Sequence, residues 1–337
     1  MGLIAEYSPI LALIIGFGLL VLGGELLVRG AVKAAECFGV SPLMIGIVLV
    51  GFGTSAPEMA ISVYAALQGS PGIAIGNFVG SSIANILLIL GLSAMVMPVG
   101  ITPKALSRDG VVVIASATAF CFISLVYSLD RIVGFLFLSW LIGYLVYAWR
   151  QEQQFETAGG ADATALSQEE IKGYSQLKAR MNAYKPITLA LLIAIAGLAI
   201  LIYGGQILVN GAVKMAENYG ISEEVIGLTI VAVGTSMPEL VTSLVAALRK
   251  QSAVAVGNIL GSNIYNILGV GGITGLLAPT SVPTSIVWYD NFLMLATSIA
   301  LIVFARSNMC ITRQEGSIMF VAYILYIWTL LPASAFG

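Results

Sequence analysis

The chain has 337 residues, 58% of them hydrophobic and only 9% charged, with a formal net charge of −2 and no histidine. A soluble protein carries about 25% charged residues, so this composition describes a polytopic membrane protein with apolar runs near the ~20 residues that cross a bilayer. It argues against nucleic-acid binding, which needs a concentrated basic patch, and the missing histidine removes the usual metal ligand, general base and near-neutral proton carrier.

Ten spans are expected, at roughly residues 9–33, 41–68, 71–97, 108–127, 131–149, 184–213, 221–249, 252–278, 284–305 and 315–334. Met1 to Ser8 hold Glu6 and no Lys or Arg. A signal peptide would open with a basic region, so the first span is expected to stay, with the N-terminus outside. Glu25 and Arg29 within it are spaced i, i+4 and suit a structural ion pair. Cys37, Cys121 and Cys310 are isolated and odd in number, which fits small apolar fillers better than a disulfide or zinc site.

The second span carries Gly53-Thr54-Ser55-Ala56-Pro57-Glu58 deep in an apolar run. A carboxylate at mid-bilayer costs roughly 2.5–3.5 kcal/mol on insertion scales, and a proline inside a helix removes one hydrogen bond and clashes with the carbonyl four residues back. Thr54, Glu58 and Ser62 share one helical face, and Pro57 is expected to free carbonyls near Gly51 to Thr54. The third span, starting after a tight turn, brings Gly76-Asn77-Phe78-Val79-Gly80-Ser81-Ser82-Ile83-Ala84-Asn85. Its Gly-x-x-x-Gly allows close helix approach, itself a common packing device, and Ser81 and Asn85 lie on one face.

Residues 150–183 form the one long polar segment, with a capping box Ser167-x-x-Glu170. It reads as a cytoplasmic linker between a first five-helix repeat, 1–149, and a second, 184–337. The second half repeats the first at an offset of 181. Gly234-Thr235-Ser236-Met237-Pro238-Glu239 copies the acidic motif, followed by Gly257-Asn258-Ile259-Leu260-Gly261-Ser262-Asn263-Ile264-Tyr265-Asn266. Residues 53–91 align with 234–272 without a gap, identical at 19 of 39 positions. Five spans per half is an odd number, so the halves enter the membrane in opposite senses. The expected fold is therefore an all-α membrane protein of ten transmembrane helices arranged as two inverted five-helix repeats, a plan of secondary transporters whose sites lie at the repeat interface on broken helices.

With both termini outside, thirteen of the fifteen Lys and Arg fall inside and only Arg131 and Lys214 outside, as the positive-inside rule asks. Asp290, near the start of the ninth span, is expected at the interface. Every polar group of the two motifs is an oxygen donor, the set that hard cations such as Ca²⁺ take. No Lys or Arg lies at matching depth to pair with Glu58 or Glu239. For any single Thr, Ser or Asn, plain interhelical hydrogen bonding remains an equal reading.

These motifs resemble the α-repeats of the cation/Ca²⁺ exchanger superfamily, which includes the Na⁺/Ca²⁺ exchangers. The resemblance implies alternating access around central ion sites and no cofactor. It assigns Thr54, Ser55, Glu58, Ser81 and Asn85, then Thr235, Ser236, Glu239, Ser262 and Asn266, as cation ligands, with Gly51 and Ala232 lending carbonyls. Many exchangers carry Asp at one of the two positions held here by Asn85 and Asn266. With Asn at both, the site holds two carboxylates, which balance one Ca²⁺ but not three Na⁺.

The expected function is a Ca²⁺/Na⁺ antiporter in the plasma (inner) membrane, with Ca²⁺, Na⁺ and the lipid bilayer as partners and one subunit sufficient. An H⁺-coupled antiporter is the nearest rival, although the Gly-Asn-x-x-Glu type motif of that branch is absent. A cation channel would favour a pore ring from several subunits. An intramembrane hydrolase would need a water path and a general acid/base.

Overall fold

The computed structural model describes residues 8–126, 128–157, 187–219, 232–284 and 286–330. They are helical almost throughout. In the first half run α1 (Pro9–Phe38), α2 (Pro42–Thr54), α3 (Ala56–Leu67), α4 (Pro71–Val96), α5 (Ala105–Leu125) and α6 (Arg131–Thr157). In the second run α7 (Ile187–Asn218), α8 (Ala232–Thr235), α9 (Met237–Leu248), α10 (Ser252–Leu277), α11 (Ile286–Asn308) and α12 (Arg313–Leu330). Two short strands, β1 (Val99–Gly100) and β2 (Cys310–Ile311), pair antiparallel.

Seven of these helices are long and apolar enough to cross a membrane, or eight spans if the bent pair α2–α3 counts as one. The sequence reading expects ten. The opening of its seventh span, residues 221–231, lies outside the described residues, as does the capping box at 167–170. The α12 helix covers 18 residues where the tenth is expected.

Helices α1 and α7 cross antiparallel along a row of glycines spaced seven apart: Gly16, Gly23 and Gly30 on one, Gly197, Gly204 and Gly211 on the other. Gly16 meets Leu208, Gly23 meets Leu201 and Gly30 meets Ala194, so one helix descends as the other rises. Each contact recurs with its partners exchanged: Gly197 meets Leu27, Gly204 meets Leu20 and Gly211 meets Leu13. A local two-fold axis therefore relates this pair. Apolar lipid gives no hydrophobic drive to bring helices together, so close backbone approach over small residues has to supply the contact.

The tight turn expected after α3 is present, and its repeat counterpart follows α9. Each turn places one residue in the left-handed region, Gly69 (φ 72) and its repeat counterpart Lys250 (φ 58). Inside the bundle α2 packs on α10, where Gly46 meets Gly257 and Gly51 meets Gly261.

One charge assignment differs from the sequence reading. The fifth span is expected to end at 149, yet α6 runs on to Thr157 and buries Glu152. There Glu152 accepts from Lys104 Nζ at 2.7 Å and Arg108 Nη1 at 3.2 Å. Arg108 also forks onto Asp109 at 2.5 and 3.1 Å, and the Tyr144 hydroxyl donates to Asp109 at 2.8 Å. Two cations against two anions make a neutral group, which is the condition for burying ions. The Ser41 amide, at the start of α2, donates to Glu152 at 3.3 Å, so the cluster also anchors the motif-bearing helix. Asp290 is half-buried and accepts from the Tyr326 hydroxyl at 2.9 Å. The three cysteines are free, and Cys121 donates to the Asn291 carbonyl at 3.1 Å.

Candidate ion-binding site

The second span breaks at Ser55. That residue leaves helical geometry (φ −80, ψ 0), and the α2 and α3 segments meet at 42°. Pro57, in the first turn of α3, has no N–H to give the Gly53 carbonyl. The second motif repeats the break at Ser236 (φ −89, ψ 7), with Pro238 in the first turn of α9. Release of carbonyls is narrower than expected: Gly51 still accepts the Ser55 amide at 3.1 Å, and Val50 accepts the Thr54 hydroxyl at 3.0 Å.

Each break places a glutamate in the first turn of a new helix. The positive end of the helix dipole favours a carboxylate there. Glu58 is 1% exposed and Glu239 is 2% exposed. The two lie within Coulombic reach of each other, and Thr54 and Ser55 flank the Glu239 carboxylate. Among the described residues neither glutamate enters an ion pair.

Most of the sequence-predicted ligands are buried as well. Thr54, Ser55, Ser81, Asn85, Ser236, Ser262 and Asn266 are all buried. Gly51 faces the backbone of Gly261 and Ser262, and the Thr54 hydroxyl is 3.4 Å from that of Ser262. Wider π-type turns begin at Asn85 in α4 and at Tyr265, beside Asn266, in α10. Such turns are frequent at functional sites. Among the described residues no hydrogen bond joins Ser81, Asn85, Ser236 or Asn266 to either carboxylate. Thr235 is half-buried, and Ala232 opens α8 with only its backbone described.

Among the described residues several of these buried atoms lack a protein partner: both carboxylate oxygens of Glu58, Oε2 of Glu239, the Ser55 hydroxyl, both amide atoms of Asn85 and Oδ1 of Asn266. A buried polar group without a hydrogen bond costs roughly 1–3 kcal/mol, and a bare charge more. An oxygen-rich donor set with two carboxylates, and among the described residues no cationic side chain, fits a hard metal cation.

Two residues outside the predicted ligand set complete the geometry. Asn77 Nδ2 donates to the Glu58 carbonyl and to Ser62 Oγ, both at 3.0 Å. Asn258 Nδ2 does the same for the Glu239 carbonyl at 3.2 Å and Ser243 Oγ at 2.8 Å. Their signal in the sequence is the repeated Gly-Asn dipeptide at 76–77 and 257–258. Ser62, placed by periodicity on the glutamate's face, and its repeat counterpart Ser243 turn their oxygens to these amides.

Comparison with known proteins gives a consistent picture. The family model described as sodium/calcium exchanger protein matches residues 8–150 and again 189–331. The sodium/calcium exchanger MaX1 of Methanosarcina acetivorans is 31% identical over 95% of this chain and 97% of its own. The inner membrane protein YrbG of Escherichia coli is 32% identical over 95% and 97%. A structure of the sodium-calcium exchanger NCX_Mj, soaked with Na⁺ and Sr²⁺, superimposes with a TM-score of 0.80 at 30% identity, covering 96% of this chain and 99% of that one.

Proposed function

We infer a transport cycle from one fact: this chain belongs to the sodium/calcium exchanger protein family. It is a cation/Ca²⁺ antiporter of the membrane, and its chemistry is transport and not catalysis. The counter-ion we propose is Na⁺. One Ca²⁺ sits between Glu58 and Glu239, its charge balanced by the two carboxylates. Thr54, Ser55, Ser81, Asn85, Thr235, Ser236, Ser262 and Asn266 supply neutral oxygens, and Gly51 and Ala232 lend carbonyls. Na⁺ ions take the same oxygens when Ca²⁺ leaves. The observation that carries this reading is the pair of buried glutamates whose oxygens meet no cationic side chain among the described residues.

The ten spans form two inverted five-helix repeats, joined by a cytoplasmic linker and with both termini outside the plasma membrane. The antiparallel two-fold contact of α1 with its repeat counterpart α7 supports this arrangement, as does the thirteen-to-two division of positive charge. A single subunit contains the whole site and exposes it to the two sides in turn.

The direct test is ⁴⁵Ca²⁺ uptake into proteoliposomes under an imposed Na⁺ gradient, beside the same assay under a pH gradient. Na⁺-driven uptake is expected. Uptake driven by the pH gradient alone would transfer the coupling to H⁺, and a net leak of cations without exchange would point to a channel. Topology is checked separately with an impermeant thiol reagent on Ala165→Cys. Labelling from the outside would overturn the inverted arrangement.

A further inference from the structure

The relation between the halves is broken where α1 meets α9. Helix α1 packs against α9, where a Cβ at Gly24 would meet Val241 at 3.0 Å and Val245 at 3.5 Å. The counterpart pair, α7 and α3, makes no comparable contact. Among the described residues Gly205, which repeats Gly24, meets Leu20 alone, at 3.7 Å, and Tyr64, which repeats as Val245, is 67% exposed. The molecule is thus closed between α1 and α9 and open between α7 and α3.

The closed side carries a charge cluster that the open side lacks. Glu25 of α1 pairs with Arg249, the residue that caps the end of α9, and with Arg29 one turn along its own helix. The repeat counterparts of Glu25, Arg249 and Arg29 are Gln206, Gln68 and Asn210, all uncharged, and Gln68 and Gln206 are both exposed.

We propose that Glu25 and Arg249 form a latch that holds α1 closed on α9 and so biases the resting state of the transporter. The inference rests on the alternating-access reading above. In a protein built from inverted repeats, the opposite-facing state is the one in which the halves exchange conformations. That exchange lifts α1 off α9 and brings α7 onto α3. The Glu25–Arg249 pair separates, and the approaching Gln206 and Gln68 offer no ion pair in its place. The two states that the fold makes nearly equivalent are made unequal by two side chains.

Arg29 keeps the latch reversible. When Arg249 leaves, Glu25 retains a cation at i+4, so its carboxylate is not stranded. Arg249 is 42% exposed and can be taken up by water. Half-exposed pairs of this kind shift an equilibrium by about two- to fivefold, enough to set a resting preference without trapping the cycle. The positive-inside distribution places Arg249 on the cytoplasmic side, so the latch favours the outward-facing state.

Four positions related by the repeat provide matched reporters. Leu22 and Leu248 flank the latch, and Tyr203 and Leu67 are their counterparts on the open side. All four are exposed. Spin labels at each pair, in a background with Cys37, Cys121 and Cys310 replaced, are read by pulsed electron–electron resonance in proteoliposomes with Na⁺, with Ca²⁺ and with neither. The unaltered charges should give a predominantly short 22–248 distance and a long 203–67 distance. Glu25→Gln with Arg249→Gln should reduce the closed-to-open ratio at 22–248 by about two- to fivefold. Adding Gln206→Glu and Gln68→Arg to that variant should move the preference to the other side, making 203–67 the predominantly short pair. Two populations whose ratio ignores all of these changes would overturn the latch alone. A single population at both pairs in every variant and every ion condition would overturn the latch together with alternating access.

Discussion

The Thr54 hydroxyl lies 3.1 Å from Asn258 Oδ1, although the two are 204 residues apart, and its one proton is shared between that oxygen and the Val50 carbonyl at 3.0 Å. Thr54 ends the helix before the first break, and Asn258 holds the Glu239 carbonyl just after the second. Through this one amide, the acidic motif of one half is tied to that of the other. A change at either break is therefore felt at both carboxylates.

The carboxylates come first. Glu58→Gln or Glu239→Gln should abolish Ca²⁺ transport while leaving a folded, monodisperse protein. Each removes one of the two charges that balance a divalent ion and keeps the shape of the side chain. Ca²⁺ uptake and thermal unfolding measured on the same preparations check this, and normal flux in either variant would sink the site assignment.

Asn258→Ala and Asn77→Ala should act on ion affinity. Each leaves a glutamate carbonyl and a serine hydroxyl without their donor, a loss of about 1–3 kcal/mol. The expected signature is a half-saturating Ca²⁺ concentration raised by roughly tenfold, with a smaller fall in maximal flux. Equal falls in flux at all Ca²⁺ concentrations would mean that the asparagines only stabilise the bundle.

The α1–α7 crossing should not tolerate bulk. A Cβ at Gly197 would lie 2.4 Å from the Leu27 amide nitrogen, and at Gly23, 2.5 Å from that of Leu201. These neighbours are backbone and cannot rotate away. Gly197→Ala or Gly23→Ala should cost about 1–3 kcal/mol by overpacking, seen as a lower melting temperature in detergent. Gly18→Ala, where nothing lies within 4 Å, serves as the control and should be neutral.

Arg108 is expected to be structural. Arg108→Ala strands Asp109 and half-strands Glu152 in a buried setting, and breaking a buried ion pair costs about 3–5 kcal/mol. Yield and melting temperature should fall sharply. Arg108→Met with Asp109→Leu should recover part of the loss, because the uncompensated charge is gone.

Coupling can be read from voltage. If three Na⁺ exchange for one Ca²⁺, each cycle moves one net charge, worth about 2.3 kcal/mol per 100 mV. Neutral oxygens can spread the excess charge of three Na⁺ over two carboxylates, and electrogenic exchange is the expected outcome. Clamping proteoliposomes with K⁺ and valinomycin should change Na⁺-driven Ca²⁺ flux. A flux indifferent to the clamp would point to two Na⁺ per Ca²⁺, and Asn266→Asp should then introduce voltage dependence.

The sequence by itself determined what depends on composition and on neighbours along the chain. The charge content places the protein in a bilayer. The repeat at 181 residues announces two related halves. Pro57 and Pro238 dictate the breaks at Ser55 and Ser236, because a missing N–H is a local fact, and Gly69 marks its turn for the same kind of reason. Tertiary structure alone decided the rest. Periodicity tells which residues share a face, and not what that face meets. So the meeting of Glu58 with Glu239, the diversion of Ser62 and Ser243 to Asn77 and Asn258, and the burial of Arg108 with Glu152 depend on helices distant in sequence coming together. Above all, the repeat by itself does not say which side is closed, because closure is a contact between helices far apart in sequence. Packing shows it, with Gly24 against Val241 on one side and Tyr64 left exposed on the other, and only then do the charge differences at 25 and 249 acquire a role.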